Sequence, residues 1–254
     1  MKFHNVYIDF EAITHPFASV IGLPSGTPFA YTIGLLNDKN RFESKTFIMD
    51  FTKHNSLPAI WLMLRKFIIA DIHSINPKID IKSVNFIGHN PVLEHDCLKK
   101  LFPENKVVPL IDYPNISLSK ITAKTFNQTY WFKTKKAIIN TKKETLIKRL
   151  PERNGAIASY AGYWLYVSSL KDLRANDRRK KYFIDLEKKT LLRELREYSR
   201  DDVLKMIFVT QHVDQLNMWI KEFNAKNELL KQIRNLKLDD KLTIKDVKEK
   251  IWTL

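Results

Sequence analysis

Apolar side chains in the first half of the chain recur at spacings that separate strands from helices. Five short segments combine β-branched and aromatic residues with flanking turn residues, as strands do. These segments are residues 3–10, 29–36, 44–51, 83–88 and 107–111. Helical spacing predicts helices over residues 57–71 and 91–102, the second opened by Pro91. Three consecutive strands followed by strands alternating with helices predict an α/β fold with a mixed five-stranded sheet flanked by helices.

The second half of the chain is predicted to be mainly helical from about residue 119 onward. Residues 155–170 place small residues on one side of an apolar helix, which indicates a packed core helix. Residues 201–235 form a long helical tract, with a break expected near Asn224. We therefore expect one domain over residues 1–210 and a helical C-terminal extension over residues 211–254.

Positive charge is concentrated in the middle of the chain. The formal net charge is +15, from 43 basic and 28 acidic residues. Residues 1–111 carry 12 basic and 10 acidic residues, whereas residues 112–200 carry 21 and 9. A genome that favours lysine codons would raise the charge everywhere, so this concentration favours a surface for a polyanion such as nucleic acid.

Within this region, residues 119–154 form a basic insert with 10 lysine or arginine residues against 2 acids. Lysines hold phosphates, and interleaved aromatic rings can stack on unpaired bases. The alternative is that the aromatic rings belong to the core and the lysines form its wet face. The candidate nucleic-acid-binding residues are Lys124, Tyr130, Trp131, Lys133, Lys135 and Lys136.

Cysteine usage and the apolar segments bear on the compartment. The single cysteine, Cys97, allows no intrachain disulfide and excludes a zinc finger. The N-terminal residues lack the apolar stretch of a signal peptide, and the most apolar helix is interrupted by Arg65 and Lys66. We therefore expect a reducing, cytoplasmic setting and no membrane partner.

Asp9 and Glu11 are the first candidate functional residues. They lie two positions apart in the first strand, so their side chains project from the same face. The preceding run of Val6, Tyr7 and Ile8 indicates a buried strand, in which adjacent carboxylates need a cation. The alternative is a solvated strand end.

A second acidic segment opens the helix predicted over residues 91–102. Glu94 and Asp96 lie in its first turns, after the strand that ends at Gly88. Carboxylates there are favoured by the helix dipole alone, which is the simpler explanation of both residues.

Tyr198 and Asp202 form the third pattern. Their spacing of four residues places them on one face of a helix. They could supply a hydroxyl and a metal ligand, or they could be a hydrogen-bonded surface pair. Asp201 is a weaker rival to Asp202 as a ligand.

Together these patterns resemble the motifs of the DEDD superfamily of 3′–5′ exonucleases, which have a ribonuclease-H-like fold. Asp9 and Glu11 match the first motif, and Tyr198 to Asp202 match the third motif in its tyrosine form. The segment 89–94 matches the second motif, His-Asn-x-x-Phe-Asp, with leucine for phenylalanine and Glu94 for aspartate. Asp112 is similar to an aspartate that often ends a strand in the family. The resemblance covers roughly residues 5–210, and the opening stretch also looks like a bacterial domain of unknown function.

The resemblance implies a two-metal phosphodiesterase. Asp9, Glu11, Glu94 and Asp202 would hold two Mg²⁺ or Mn²⁺ ions roughly 3.5–4 Å apart, and Tyr198 would orient the attacking water. Asp96 is a rival to Glu94 as the third ligand. The implied activity is 3′–5′ exonuclease action on single-stranded nucleic acid. The alternatives are a non-catalytic nucleic-acid-binding module of the same fold and a ribonuclease-H-like endonuclease. These residues do not distinguish DNA from RNA as the substrate, and they identify no protein partner.

Overall fold

One central strand, β1 (His4–Ile13), organises the sheet. It pairs antiparallel with β2 (Thr27–Leu36) and parallel with β4 (Val84–Gly88). β3 (Phe42–Ile48) forms one edge, antiparallel to β2, and β5 (Lys106–Pro109) forms the other, parallel to β4. The order β3-β2-β1-β4-β5 confirms the predicted mixed five-stranded sheet and is consistent with a ribonuclease-H-like fold.

The structure is a computed structural model that describes residues 3–111, 116–126, 129–171, 173–235 and 243. Asp112 lies outside the described residues, as does most of the segment after Asn235. The division into a domain over 1–210 and an extension over 211–254 therefore stays a prediction.

Helices cover the sheet on both faces and form the C-terminal part of the described chain. The first group follows or interrupts the strands: α1 (Phe17–Ile21), α2 (Leu57–Ile75) and α3 (Val92–Leu101). Three short helices occupy the basic insert: α4 (Leu118–Ile121), α5 (Phe132–Asn140) and α6 (Glu144–Ile147). Three long helices follow: α7 (Asn154–Ser169), α8 (Lys188–Gln211) and α9 (Val213–Asn235). In the part of the chain that is described, none of these helices has the length and apolarity needed to cross a bilayer.

Side chains alternate between the two faces of the sheet, and each face packs against a different long helix. On one face, Tyr31 donates a hydrogen bond of 2.7 Å from its hydroxyl to Asp71 of α2, and Phe47 stacks on Phe67 of the same helix. On the other face, Tyr7 packs in a cluster with Val203 of α8. Asp9 and Glu11 share the parity of Tyr7, so they face α8.

Several element boundaries differ from the sequence prediction. β1 extends to Ile13, beyond the predicted end at residue 10, and the short helix α1, which was not predicted, follows it. The break predicted near Asn224 is wrong, because the two long helices are separated at His212 instead. The His212 ring hydrogen bonds to the Phe208 carbonyl oxygen at 2.7 Å and packs near Trp219, which folds α9 back. No glycine or proline, the residues that usually mark the end of a helix in sequence, lies at this break. The ring contacts define it instead.

Candidate metal centre

Strand β1 presents two carboxylates to the face covered by α8. Asp9 lies opposite Thr32 of β2, and Glu11 lies opposite Ala30. The register shifts between Glu11 and Ala12 because β2 contains one extra residue, Phe29, so the bulge lies in the partner strand beside the second carboxylate. Bulges of this kind re-aim side chains beside functional sites.

Three hydroxyls fix α8 against this part of the sheet. The Thr32 hydroxyl shares one hydrogen bond of 2.9 Å with Ser199 of α8 and another of 2.8 Å with Thr46 of β3. Ser199 is fully buried and lies between Tyr198 and Asp202 on the helix. Because Thr32 is opposite Asp9, this anchor brings α8 next to the carboxylates of β1.

The anchor brings Asp9, Glu11 and Asp202 together. One carboxylate oxygen from each of the three lies within 4.8 Å of the others. These residues come from two elements almost 200 positions apart in the chain. Together they form the carboxylate cluster.

Glu94 borders this cluster from the start of α3. Its Oε1 accepts a hydrogen bond of 3.3 Å from the backbone N–H of Phe10, the residue between the two β1 carboxylates. Gly88 permits this approach, since a Cβ there would lie 2.8 Å from Pro91 and 3.2 Å from the Glu94 Cγ. Asp96 points to solvent with its side chain 74% exposed. Of the two acids, therefore, Glu94 is the one directed toward the cluster.

Burial and mutual repulsion make the carboxylate cluster costly without a cation. Burial, followed by the charges of Glu11 and Asp202, raises the pKa of Asp9 well above its usual value. Burial, followed by Asp202 and Glu94, does the same to the pKa of Glu11. Burial also raises the pKa of Asp202, and it raises the pKa of Glu94 to about 7. The protein interior thus disfavours the fully ionised cluster.

One oxygen of this cluster also lacks a hydrogen-bond donor. Glu11 Oε1 is buried and has no hydrogen-bond partner among the residues that the structure describes. An unsatisfied buried carboxylate oxygen costs free energy unless a cation or a donor approaches it. This oxygen is therefore suited to coordinate an ion.

Lys205 is a functional candidate that the sequence patterns did not identify. Its Nζ lies 2.8 Å from Asp202 Oδ1, 3.2 Å from the Ser119 hydroxyl and 4.9 Å from the centre of the Tyr130 ring. The side chain is fully buried. Burial opposes its charge, but the charge and hydrogen bond of Asp202, together with the contributions of Tyr130, raise the pKa of Lys205. The one available signal was its position three residues after Asp202, on the same side of the helix.

Tyr198 lies against Asp202 behind the cluster. Burial first, then the charge of Asp202, raises the pKa of the Tyr198 phenol well above its usual value. The phenol therefore stays protonated at neutral pH and can orient a ligand by hydrogen bonding. It cannot act as a general base there.

Two aromatic residues proposed to stack on bases are instead part of the core. Trp131 is 1% exposed and Tyr130 is 6% exposed, and both rings lie within 5.5 Å of the Tyr198 ring, centre to centre. The Tyr130 hydroxyl donates to Asp201 at 3.2 Å. These rings support Tyr198 and Lys205, so as placed they are not available to stack on a base. Phe132, next to them, is 68% exposed.

The candidate lysines of the basic insert lie at its surface to different degrees. Lys124, Lys133 and Lys136 are exposed. Lys135 is half-buried and donates a hydrogen bond of 3.0 Å to the Asn154 side chain, and burial lowers its pKa. Backbone N–H groups at the start of α5 donate to the carboxylate of Glu194 in α8, which ties the insert to the helix that carries Asp202.

A small cavity opens beside the carboxylate cluster. It has a volume of about 200 Å³ and is lined by Asp9, Asp202, His89 and a serine-rich turn over residues 117–119. His89 Nε2 lies 2.8 Å from the Ile116 carbonyl oxygen, which fixes the ring at the cavity wall. A larger cavity of about 620 Å³ lies elsewhere, near Phe3 and Phe42. The smaller one is where a ligand would reach the acids.

No family model, curated protein or solved structure matches the chain. The fold and the carboxylate cluster therefore provide the support for a functional proposal.

Proposed function

We propose that the protein is a metal-dependent nuclease of the DEDD type. Its reaction would be stepwise hydrolysis of phosphodiester bonds from the 3′ end of single-stranded nucleic acid. The observation that supports this proposal best is the carboxylate cluster of Asp9, Glu11 and Asp202, bordered by Glu94. Buried like charges of this kind destabilise a fold through their mutual repulsion, so fold stability does not explain why they are brought together.

The donor set fits Mg²⁺ or Mn²⁺. Both are hard cations that prefer carboxylate oxygens, and no nitrogen or sulfur ligand joins the cluster among the described residues. A bound cation would coordinate the unpaired Glu11 Oε1 and would lower the raised pKa values of the carboxylates. Asp9, Glu11, Glu94 and Asp202 would hold the ions. When bound, two such ions would activate water and stabilise the leaving 3′ oxygen.

The side chains around the metal ligands would position the reacting groups. The protonated Tyr198 phenol, directed at Asp202, would hold the attacking water by a hydrogen bond. Lys205 would keep Asp202 ionised and fixed in direction, because its ammonium group lies 2.8 Å from Asp202 Oδ1. The cavity beside Asp9 and His89 would admit the phosphate group next to the metal ligands.

The sequence resemblance supports the assignment through the elements that carry each motif. The first motif lies on the central strand β1, the second at the junction of β4 and α3, and the third on α8. The glutamate at the second motif is accommodated because Gly88 leaves room for its methylene groups. In the tyrosine subgroup the three motifs stand in this order, on elements of these types.

The test is incubation with 5′-labelled single-stranded DNA or RNA in Mg²⁺, Mn²⁺ or EDTA. We expect a ladder of products shortened from the 3′ end, in either metal and not in EDTA. A 3′-terminal block should stop the reaction, and a 5′-terminal block should not. Asp9→Ala should abolish the ladder, whereas Asp96→Ala, an exposed acid on α3, should leave it unchanged.

Two results would contradict the proposal in different ways. Cleavage of circular single strands as fast as linear ones would identify an endonuclease. Tight binding without cleavage in any metal would identify a non-catalytic nucleic-acid-binding module.

A further inference from the structure

A groove lined by arginine side chains runs between α8 and the edge strand β3. Its volume is about 410 Å³. The lining side chains are Ser44, Thr46, Arg193, Arg196, Glu197 and Arg200. We call it the arginine groove. It lies outside the basic insert and outside the carboxylate cluster.

The arginines form one stripe because of their spacing along α8. Arg193, Arg196 and Arg200 are three and four residues apart, which places them on one side of the helix. Ser44 and Thr46, two residues apart on β3, present their hydroxyls from the facing wall. At a rise of 1.5 Å per residue the stripe spans about 10 Å, enough for more than one phosphate group.

The positive charge of the arginine groove is only partly neutralised. Arg193 lies 3.8 Å from Glu197, and Arg200 lies 3.8 Å from Asp201. In both pairs the arginine side chain is 54% exposed, so these contacts are weak. Arg196 forms no ion pair with any residue that the structure describes. Guanidinium groups held in this way remain free to bind an anion.

The arginine groove and the carboxylate cluster lie on opposite sides of α8, with the hydroxyl anchor between them. Thr46, in its wall, is joined through Thr32 to Ser199 by the buried hydroxyl anchor. Arg200 precedes Asp202 by two residues on the same helix, and Thr32 lies opposite Asp9 in the sheet. Since side chains two residues apart on a helix point in nearly opposite directions, a strand held in the groove would have to pass across α8, about 10–12 Å wide, to reach the acids.

We propose that the arginine groove binds the phosphate backbone of the nucleic acid whose terminus lies at the carboxylate cluster. This proposal rests on the proposed function, and it adds the path of the strand away from the site. Arginine forks match phosphate geometry, and serine and threonine hydroxyls donate to phosphate oxygens. No aromatic side chain lines the groove among the described residues, so it holds the backbone and reads no base sequence.

The test compares two triple variants that remove the same charge. R193Q/R196Q/R200Q removes the stripe, and K221Q/K226Q/K231Q removes three exposed lysines of α9. Binding of a 5′-fluorescein single strand is followed by anisotropy in EDTA over a range of salt concentrations, where no cleavage occurs. We expect the arginine variant to bind at least about tenfold more weakly at 0.1 M salt. The slope of the logarithm of its affinity against the logarithm of the salt concentration should fall by about 2, because each lost phosphate contact removes about 0.7. The lysine variant should match the wild type.

The outcomes separate this proposal from the proposed function. Wild-type-like binding by the arginine variant, or an equal loss in both variants, would overturn the groove while leaving the nuclease proposal intact. A selective loss of binding by a protein that never cleaves would support the groove and overturn the nuclease. Melting temperatures show whether the triple variant is folded. If it is not, R196Q alone, which breaks no ion pair seen in the described residues, must still weaken binding for the proposal to stand.

Discussion

Replacing Glu94 by glutamine should stabilise the metal-free protein at alkaline pH and have little effect at acid pH. Burial raises the pKa of Glu94 from 4.5 to about 7 in the folded protein. A raised carboxyl pKa means that the stability associated with this group is present below pH 4.5 and is lost as the pH rises through 7. Glutamine does not titrate, so the variant avoids that loss.

The expected size follows from the same pKa values. A rise from 4.5 to about 7 corresponds to roughly 3 kcal/mol of unfolding free energy, at 1.36 kcal/mol for each tenfold change in proton affinity. The Phe10 N–H can still donate to the glutamine carbonyl oxygen. We therefore expect the variant to be about 1–3 kcal/mol more stable than the wild type at pH 8.5. The increase in melting temperature would be roughly 3–10 °C for a chain of this size.

The assay is thermal or urea unfolding of both proteins in EDTA between pH 5 and pH 9. The stability difference should grow as the pH rises from 5 to about 7 and level off above it. Asp96→Asn is the matched control, because this acid lies on the same helix with its side chain 74% exposed, and it should show no such trend. Added Mg²⁺ should stabilise the wild type more than the Glu94→Gln variant, since the variant lacks one proposed ligand.

A difference that stays constant over this pH range would refute the reasoning. It would mean that Glu94 has the same proton affinity in the folded and unfolded chains, and a constant offset would report only the fit of the amide group. Equal stabilisation of both proteins by Mg²⁺ would show that Glu94 is not a metal ligand. Asp9, Glu11 and Asp202 would remain as proposed ligands.

Four further substitutions test the remaining parts of the site. Asp9→Ala should lower the cleavage rate by several orders of magnitude and abolish the rise in melting temperature caused by Mg²⁺; a retained rise would exclude it as a ligand. Tyr198→Phe should cost less, up to about 100-fold in rate, because only a positioning hydroxyl is lost; an unchanged rate would exclude that role. Lys205→Met should cost about 3–5 kcal/mol in urea unfolding by leaving Asp202 buried without its partner, and unchanged stability would disprove the buried ion pair. Trp131→Ala should cost about 3–5 kcal/mol, as for other buried aromatics, and weaker nucleic-acid binding at full stability would instead favour a stacking role.

Local spacing accounts for what the sequence predicted correctly. Alternation along β1 placed Asp9 and Glu11 on one face, and the succession of strands and helices indicated a mixed five-stranded sheet, although not its strand order. The four-residue spacing placed Tyr198 and Asp202 on one side of a helix. Each of these inferences needs only the geometry of a single element or of neighbouring elements.

Features that depend on contacts between distant elements could not be predicted in this way. The burial of Trp131 follows from packing against Tyr198 in α8, although its lysine-rich neighbours indicated a surface segment. Lys205 is buried because Asp202 and Ser119 meet around it. The separation of α8 from α9 at His212 depends on ring contacts across the bend. The arginine groove requires the edge strand β3 opposite α8, which periodicity alone does not place.

The distance along the chain between β1 and α8 also separates their appearance during synthesis. Asp9 and Glu11 leave the ribosome almost 200 residues before Asp202. At about 5–20 residues per second, translation would take roughly 10–40 s to cover that interval. Until α8 emerges and Ser199 reaches Thr32, the nascent chain holds only part of the carboxylate cluster. If the proposed nuclease function holds, the nascent chain would stay inactive toward the messenger that encodes it until α8 folds.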